Sequence, residues 1–249
     1  MGGLSSVKIL ACDGMRDNRL LWALIAGFAL FPIYTHFADL PFWNDVAMRI
    51  MLLGMAAMGL NLALGYGGMV SFGHAAFVGI GAYCVAISQV YGISNGWLHL
   101  AFAIVACGVA GLVIGYLALR TSGIYFIMIT LAFAQMLFFL FVSLEAYGGD
   151  DGMSIDRAEF GIIDLYEPLR LYFLIWACLA IVAMLLMFIV RSRFGGTLRA
   201  VKSNASRVEA MGLSPLRFKI TGYVISAVIC GIAGGLFASW QEYVSPDIM

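Results

Sequence analysis

Aspartate, glutamate, lysine and arginine are absent from five stretches of this 249-residue chain: 20–38, 50–119, 121–144, 171–190 and 220–241. A helix rises 1.5 Å per residue, so about 20 apolar residues carry a backbone across a hydrocarbon core of about 30 Å. Four of the stretches have the length of a single membrane span, and 50–119 must hold several. Glycine-rich punctuation at Gly65-Tyr66-Gly67-Gly68 and Gly92-Ile93-Ser94-Asn95-Gly96 divides it into spans near 46–65, 69–91 and 97–119. The expected fold is an all-α polytopic membrane helix bundle of about seven spans, 20–249, behind a short segment 1–19. Composition agrees: 11% of residues are charged and 63% hydrophobic, against about 25% charged in a soluble domain. A formal net charge of zero leaves no basic face for nucleic acid.

The few charges set a topology. Lys8, Arg16 and Arg19 precede the first span, and 191–219 carries seven bases against the single acid Glu209. Both segments belong on the cytoplasmic side by the positive-inside rule. Between the fifth and sixth spans, Glu145, Asp150, Asp151, Asp156, Glu159, Asp164 and Glu167 face only Arg157 and Arg170, which places the loop 145–170 outside. Seven spans with a cytoplasmic N-terminus satisfy both conditions. A re-entrant segment paired with an extra crossing satisfies the same rule. The first run has nineteen uncharged residues, longer than the 7–15-residue core of a signal peptide, and no A-x-A site closes it, so it reads as a retained anchor.

The inventory of chemistry is sparse. The charge-free runs hold no carboxylate or base, there is no H-E-x-x-H, and the histidines are His36, His74 and His99. An embedded protease, metalloenzyme or proton relay needs ionisable groups at membrane depth, and His74 is the one candidate deep within a span. Cys12, Cys84, Cys107, Cys178 and Cys230 form no C-x-x-C and suggest neither a disulfide framework nor zinc. No phosphate-binding loop is present, since Val201 precedes the Lys202-Ser203 pair where that loop requires glycine. The reading is a non-enzyme, and any ATP hydrolysis belongs to another chain.

Two stretches carry information. Residues 59–83 are dense in glycine and hold Asn61, Ser71 and His74. Either they line a polar path, since irregular backbone at membrane depth is tolerated against water or protein, or they form a turn and a tightly packed helix with satisfied polar groups. Thr130 and Gln135 are the polar members of the fifth span, and Gln135 needs a neighbouring helix or an aqueous path. Small residues four apart, Gly111 and Gly115, then Ala227, Gly231 and Gly235, indicate close helix contact. In 191–219, Asn204 is placed to cap a short helix through Met211, Gly212 to stop it, and Ser214 and Pro215 to open the last span. Val201, Ala205 and Val208 share a helical face opposite Arg199, Lys202 and Ser206, the pattern of an element that docks in a partner's groove. A solvated basic loop serving topology alone is the other reading.

Residues 59–83, the entry Leu119-Arg120-Thr121-Ser122-Gly123-Ile124-Tyr125-Phe126 with the later Gly148-Gly149-Asp150-Asp151-Gly152, and 193–235 together resemble the permease subunits of bacterial branched-chain amino-acid ABC importers, and within them the LivM type. The resemblance implies a multi-pass protein of the bacterial inner membrane surrounded by lipid, in a heteromer with a second, homologous permease subunit, two ABC ATPase subunits and a periplasmic solute-binding protein. It implies no cofactor bound by this chain, with ATP and Mg on the partner ATPase. By the same resemblance, 191–219 is the cytoplasmic coupling loop, with Arg199, Asn204, Ala205, Glu209 and Gly212 as ATPase-coupling candidates. Asn61, Ser71, His74, Thr130 and Gln135 become substrate-pathway candidates, and 148–152 the place where the binding protein docks. Close relatives are assigned to urea, amides and other small polar solutes, so the family is better specified than the substrate. Members usually continue into further helices beyond the equivalent of Tyr243-Val244-Ser245-Pro246, whereas this sequence stops at Met249, which reads as a C-terminally truncated permease. A secondary transporter or channel working without ATP is the alternative from another class.

Overall fold

A computed structural model of the chain describes residues 25, 27–32, 41–121, 123–157 and 168–249. The segment 1–19, most of the first expected span with His36, and Glu159, Asp164 and Glu167 lie outside the described residues. The architecture is helical: α1 (Pro41–Asn61), α2 (His74–Val90), α3 (Gly96–Ala118), α4 (Ile124–Val142), α5 (Pro168–Arg191), α6 (Arg193–Ser203), α7 (Ala205–Ala210) and α8 (Pro215–Gln241). Among the described residues five helices are long and apolar enough to cross a bilayer: α1 with its C-terminal extension, α3, α4, α5 and α8. This is a multi-pass helical membrane protein.

The expected span 69–91 is shorter than the sequence suggested. Helix α1 widens into a π turn over Leu62–Tyr66, where Gly67 N–H donates to Leu62 O at 3.2 Å. The chain then runs without regular structure to His74. The 17 residues of α2 cover about 25 Å, less than a full hydrocarbon core. The glycines account for this: a Cβ on Gly65 would collide with the Asn61 side chain, and one on Gly67 with Ala63 O. The π turn and the tight exit both need those bare positions.

Helix α8 is the axis of the bundle. Its Ser226 and Cys230 donate to Gly59 O and Ala56 O of α1, and its Tyr223, Ala227 and Gly231 face Gly115, Gly111 and Cys107 of α3. Both helices therefore run antiparallel to it. Helix α2 runs parallel, with His74 at Ser226 and Val78 at Gly234. Helix α4 follows α2, with Thr130 at Gly73 and Phe141 stacked on Tyr83 at 4.3 Å between centroids. Directions thus alternate from α1 through α4. Contact along the α2–α8 seam is backbone to backbone: a Cβ on Gly81 would strike Gly231 O, and one on Gly234 would strike Val78 O. Ala227 and Gly231 pack closely as their spacing predicts, and such approach is what holds helices together where lipid offers no hydrophobic gain.

The two ends of the bundle differ in charge. At one, Lys202 Nζ donates to Gly65 O at 2.7 Å, bringing the 65–68 turn under the basic segment. At the other, β1 (Met153–Ser154) pairs antiparallel with β2 (Tyr243–Val244), and Arg157 pairs with Glu242. Gln89 Oε1 accepts from Asp156 N–H at 2.9 Å. These links tie the acidic loop to the ends of α2 and α8.

Candidate functional site

Three features stand out: a polar joint in the bundle, a cavity between α1, α2 and α8, and a two-helix knob at the basic end. The joint is built on Ser226, twelfth of the 27 residues of α8 and so near its midpoint. Its hydroxyl donates to Gly59 O at 2.6 Å. With that single proton committed, Ser226 Oγ accepts from His74 Nε2 at 2.9 Å, which fixes the proton of a neutral His74 on Nε2 and leaves Nδ1 with no hydrogen-bond partner among the described residues. Tyr223 Oη lies 3.4 Å from Ser71 Oγ, and Ser71 Oγ accepts Gly73 N–H at 3.3 Å. The His74 and Phe77 rings meet Tyr223 edge to face, with centroids 5.2 and 5.8 Å away.

Of the expected pathway residues, Ser71, His74 and Thr130 converge here and all are buried. Thr130 Oγ1 donates to Ile127 O at 2.9 Å, so Thr130 and Ser71 are satisfied packing groups in this conformation. Asn61 is exposed at the end of α1 and Gln135 is exposed on the outer side of α4; neither reaches the joint. Sequence reasoning passed over Tyr223 and Ser226. The available signal was modest: Tyr223 stands four residues before Ala227, and so continues the small-residue face.

The cavity, of about 500 Å³, is lined by α1, α2, α8 and the C-terminal turn Pro246–Ile248. Its wall is apolar through Leu53, Ala56, Ala57, Val78 and Phe237, with His74 among the lining residues. Arg49, Gln241, Ser245 and Asp247 also line it. Arg49 is the ninth residue of α1, about 12 Å along the helix from its start. The antiparallel packing of α1 on α8 sets it about one turn before the end of α8. Arg49 and Asp247 are both exposed, and they form no ion pair with each other. None of these charged groups was singled out from the sequence, because Arg49 lies one residue outside the long uncharged run.

At the basic end, Asn204 takes extended backbone, φ −161° and ψ 99°, and its side chain accepts from Arg207 N–H at 3.0 Å. This is the expected cap, and α7 follows. Gly212 has φ +81°, the left-handed conformation expected of the residue that stops the helix. Ser214 precedes Pro215 at the cap position of α8, but its side chain makes no capping bond. The apolar stripe is used differently from the expectation. Leu198, Val201 and Val208 are buried within the protein's own structure, Leu198 in the α1–α5–α8 core, so the stripe anchors the knob instead of offering it. Arg199 is exposed and folds back on its own segment, donating to Gly195 O and Val190 O at 3.4 Å. Ala205 is half-buried, and Asn204, Glu209 and Gly212 are exposed. The outermost apolar groups are Met211, 64% exposed, and Leu213.

The family profile described as "Branched-chain amino acid transport system / permease component" matches residues 43–249. The chain is 30% identical to the high-affinity branched-chain amino acid transport system permease protein LivM of Salmonella typhimurium, covering 95% of this chain and 61% of that protein. It is 30% identical to LivM of Escherichia coli over 82% of this chain and 54% of that protein. A more distant relative is the probable branched-chain amino acid transport permease protein LivH of Methanocaldococcus jannaschii, 24% identical over 78% of this chain. The chain thus spans between half and two thirds of the length of these relatives. No solved structure matches.

Proposed function

Because the chain belongs to the permease component family of branched-chain amino acid transport systems, we propose that it is a membrane permease subunit of an ATP-driven importer of branched-chain or related amino acids. It forms part of the translocation path in the inner membrane beside a second, homologous permease. Two ABC ATPase subunits, carrying the ATP and Mg, sit against the basic end at 191–219. A periplasmic solute-binding protein delivers solute at the acidic end, 145–170. Segment 1–19 lies with the ATPases on the cytoplasmic side.

The observation that supports this reading best is the two-ended chemistry of the bundle. A capped helix with an exposed tip at Met211 and Gly212 projects from the basic end, and the charged residues Arg49 and Asp247 line a cavity toward the acidic end. ATP binding on the partners pulls the knob, and α6 transmits the displacement to α5 and α8, tilting α8 against the 62–73 break. The test is uptake of radiolabelled leucine in intact cells lacking this chain, complemented with it or not, and in cells whose partner ATPase carries a Lys→Ala change in its phosphate loop. Uptake should need both proteins and survive a protonophore for as long as cellular ATP is maintained. Uptake that collapses with the ion gradient and ignores the ATPase change supports a secondary transporter or channel instead.

A further inference from the structure

The charged cavity between α1, α2 and α8 has a polarity that few small solutes match. It holds one guanidinium and one carboxylate, Arg49 and Asp247, with Gln241, Ser245 and His74 as further polar groups on a wall that is largely aliphatic. Neither charge has an ion-pair partner among the described residues. Ionisable groups within a membrane helix are costly and mark ligand paths; Arg49 is such a group on α1, and Asp247, in the C-terminal turn, puts the opposite charge on the same cavity. Its volume of about 500 Å³ falls within the roughly 300–1,000 Å³ typical of small-molecule sites.

We propose that this cavity is a binding station for an α-amino-acid zwitterion with an aliphatic side chain. Arg49 takes the carboxylate through its planar fork, which matches two carboxylate oxygens. Asp247 accepts from the ammonium, helped by the Gln241 amide oxygen. The side chain of the solute lies inward along Leu53, Ala57 and Phe237. Ala56 and Ala57 are small where a branched side chain needs room, and His74 at the far end abuts the joint. An uncharged solute such as urea leaves both charges unused, so the site selects against it. Because Arg49 and Asp247 are near the acidic end, the station is an entry site. A solute there touches α1, α2 and α8 together, the helices that the joint at Ser226 fastens.

The proposal rests on the importer reading, and one experiment separates the two. The complete assembly, reconstituted with its partner subunits, is first assayed for ATP-dependent leucine uptake and then irradiated with a diazirine analogue of leucine, and labelled peptides are mapped. Label is expected on α1 between residues 49 and 60 and on residues 237–248. Excess leucine should suppress it. Leucinol, which lacks the carboxylate, and 4-methylpentanoate, which lacks the amine, should compete at least tenfold less well. Arg49→Gln should reduce labelling by roughly tenfold and Arg49→Lys restore part of it, with both variants still co-purifying with the assembly. An assembly that takes up no leucine overturns the importer reading. One that transports leucine but is labelled elsewhere, or whose label is displaced equally by all three compounds, overturns the binding station alone.

Discussion

Ser226 fastens three helices through one hydroxyl, since its proton goes to α1 and its lone pair takes the proton of His74 on α2. A buried carbonyl or imidazole N–H left without a partner costs about 1–3 kcal/mol, though membrane interhelical bonds measured by double-mutant cycles average about 0.6 kcal/mol. Ser226→Ala removes both bonds at little change in volume, so it should destabilise the bundle by about 1–2 kcal/mol. The check is the thermal midpoint of the purified assembly in detergent, which should fall for Ser226→Ala and stay within error for Ser206→Ala, whose side chain is exposed. Residue-scale chemistry was only partly legible in the sequence. Ser71, His74 and Thr130 could be singled out because a polar atom in an apolar run needs a partner. The partners themselves come from α8, 152 residues away in the chain for both Ser71–Tyr223 and His74–Ser226, and no local pattern predicts such pairing. Asn61 and Gln135 obey the same rule on the sequence, yet neither is taken up by the chain's own interior.

Helix α7 depends on its two ends more than on its six residues. Helices this short are unstable alone, so the Asn204 cap, the buried Val208 and the left-handed Gly212 define it. A Cβ on Gly212 would meet nothing within 4 Å, so any penalty there is conformational, about 1–2 kcal/mol for a side chain forced into the left-handed region. Gly212→Val should leave membrane insertion and assembly intact while lowering solute transported per ATP hydrolysed, whereas Gly212→Asn, a residue that tolerates this conformation, should stay near wild type. Parallel measurement of uptake and ATP hydrolysis in vesicles decides it; equal coupling in all three proteins removes the knob from the coupling path. Elements were the most legible scale of the sequence. Charge-free runs located α4, α5 and α8 closely, because a charge in lipid is more costly than any propensity is favourable. The start of α2 is not legible in the sequence, since no charge marks that boundary and glycine permits a π turn or a loop equally. The fate of the Val201–Val208 stripe was also hidden, because periodicity shows that a face is apolar without showing what covers it.

At the scale of the whole molecule, helix directions alternate and the charges segregate, with the basic knob at one end and the acidic loop, β1–β2 and the cavity's charged residues at the other. The positive-inside rule predicted that separation from counting alone, because loop charges record sidedness directly. The cavity could not be foreseen, since Arg49, Phe237 and Asp247 share no spacing and meet only when α1 packs antiparallel on α8. In the proposed importer these ends meet different partners, an ATPase at the knob and a solute-binding protein at the acidic loop. A photo-crosslinking residue placed at Met211 and, separately, at Asp150 in the assembled transporter separates the two contacts. Position 211 is expected to capture the ATPase and position 150 the binding protein. Capture of one and the same partner from both positions, or the two partners exchanged, overturns the assignment of the two ends.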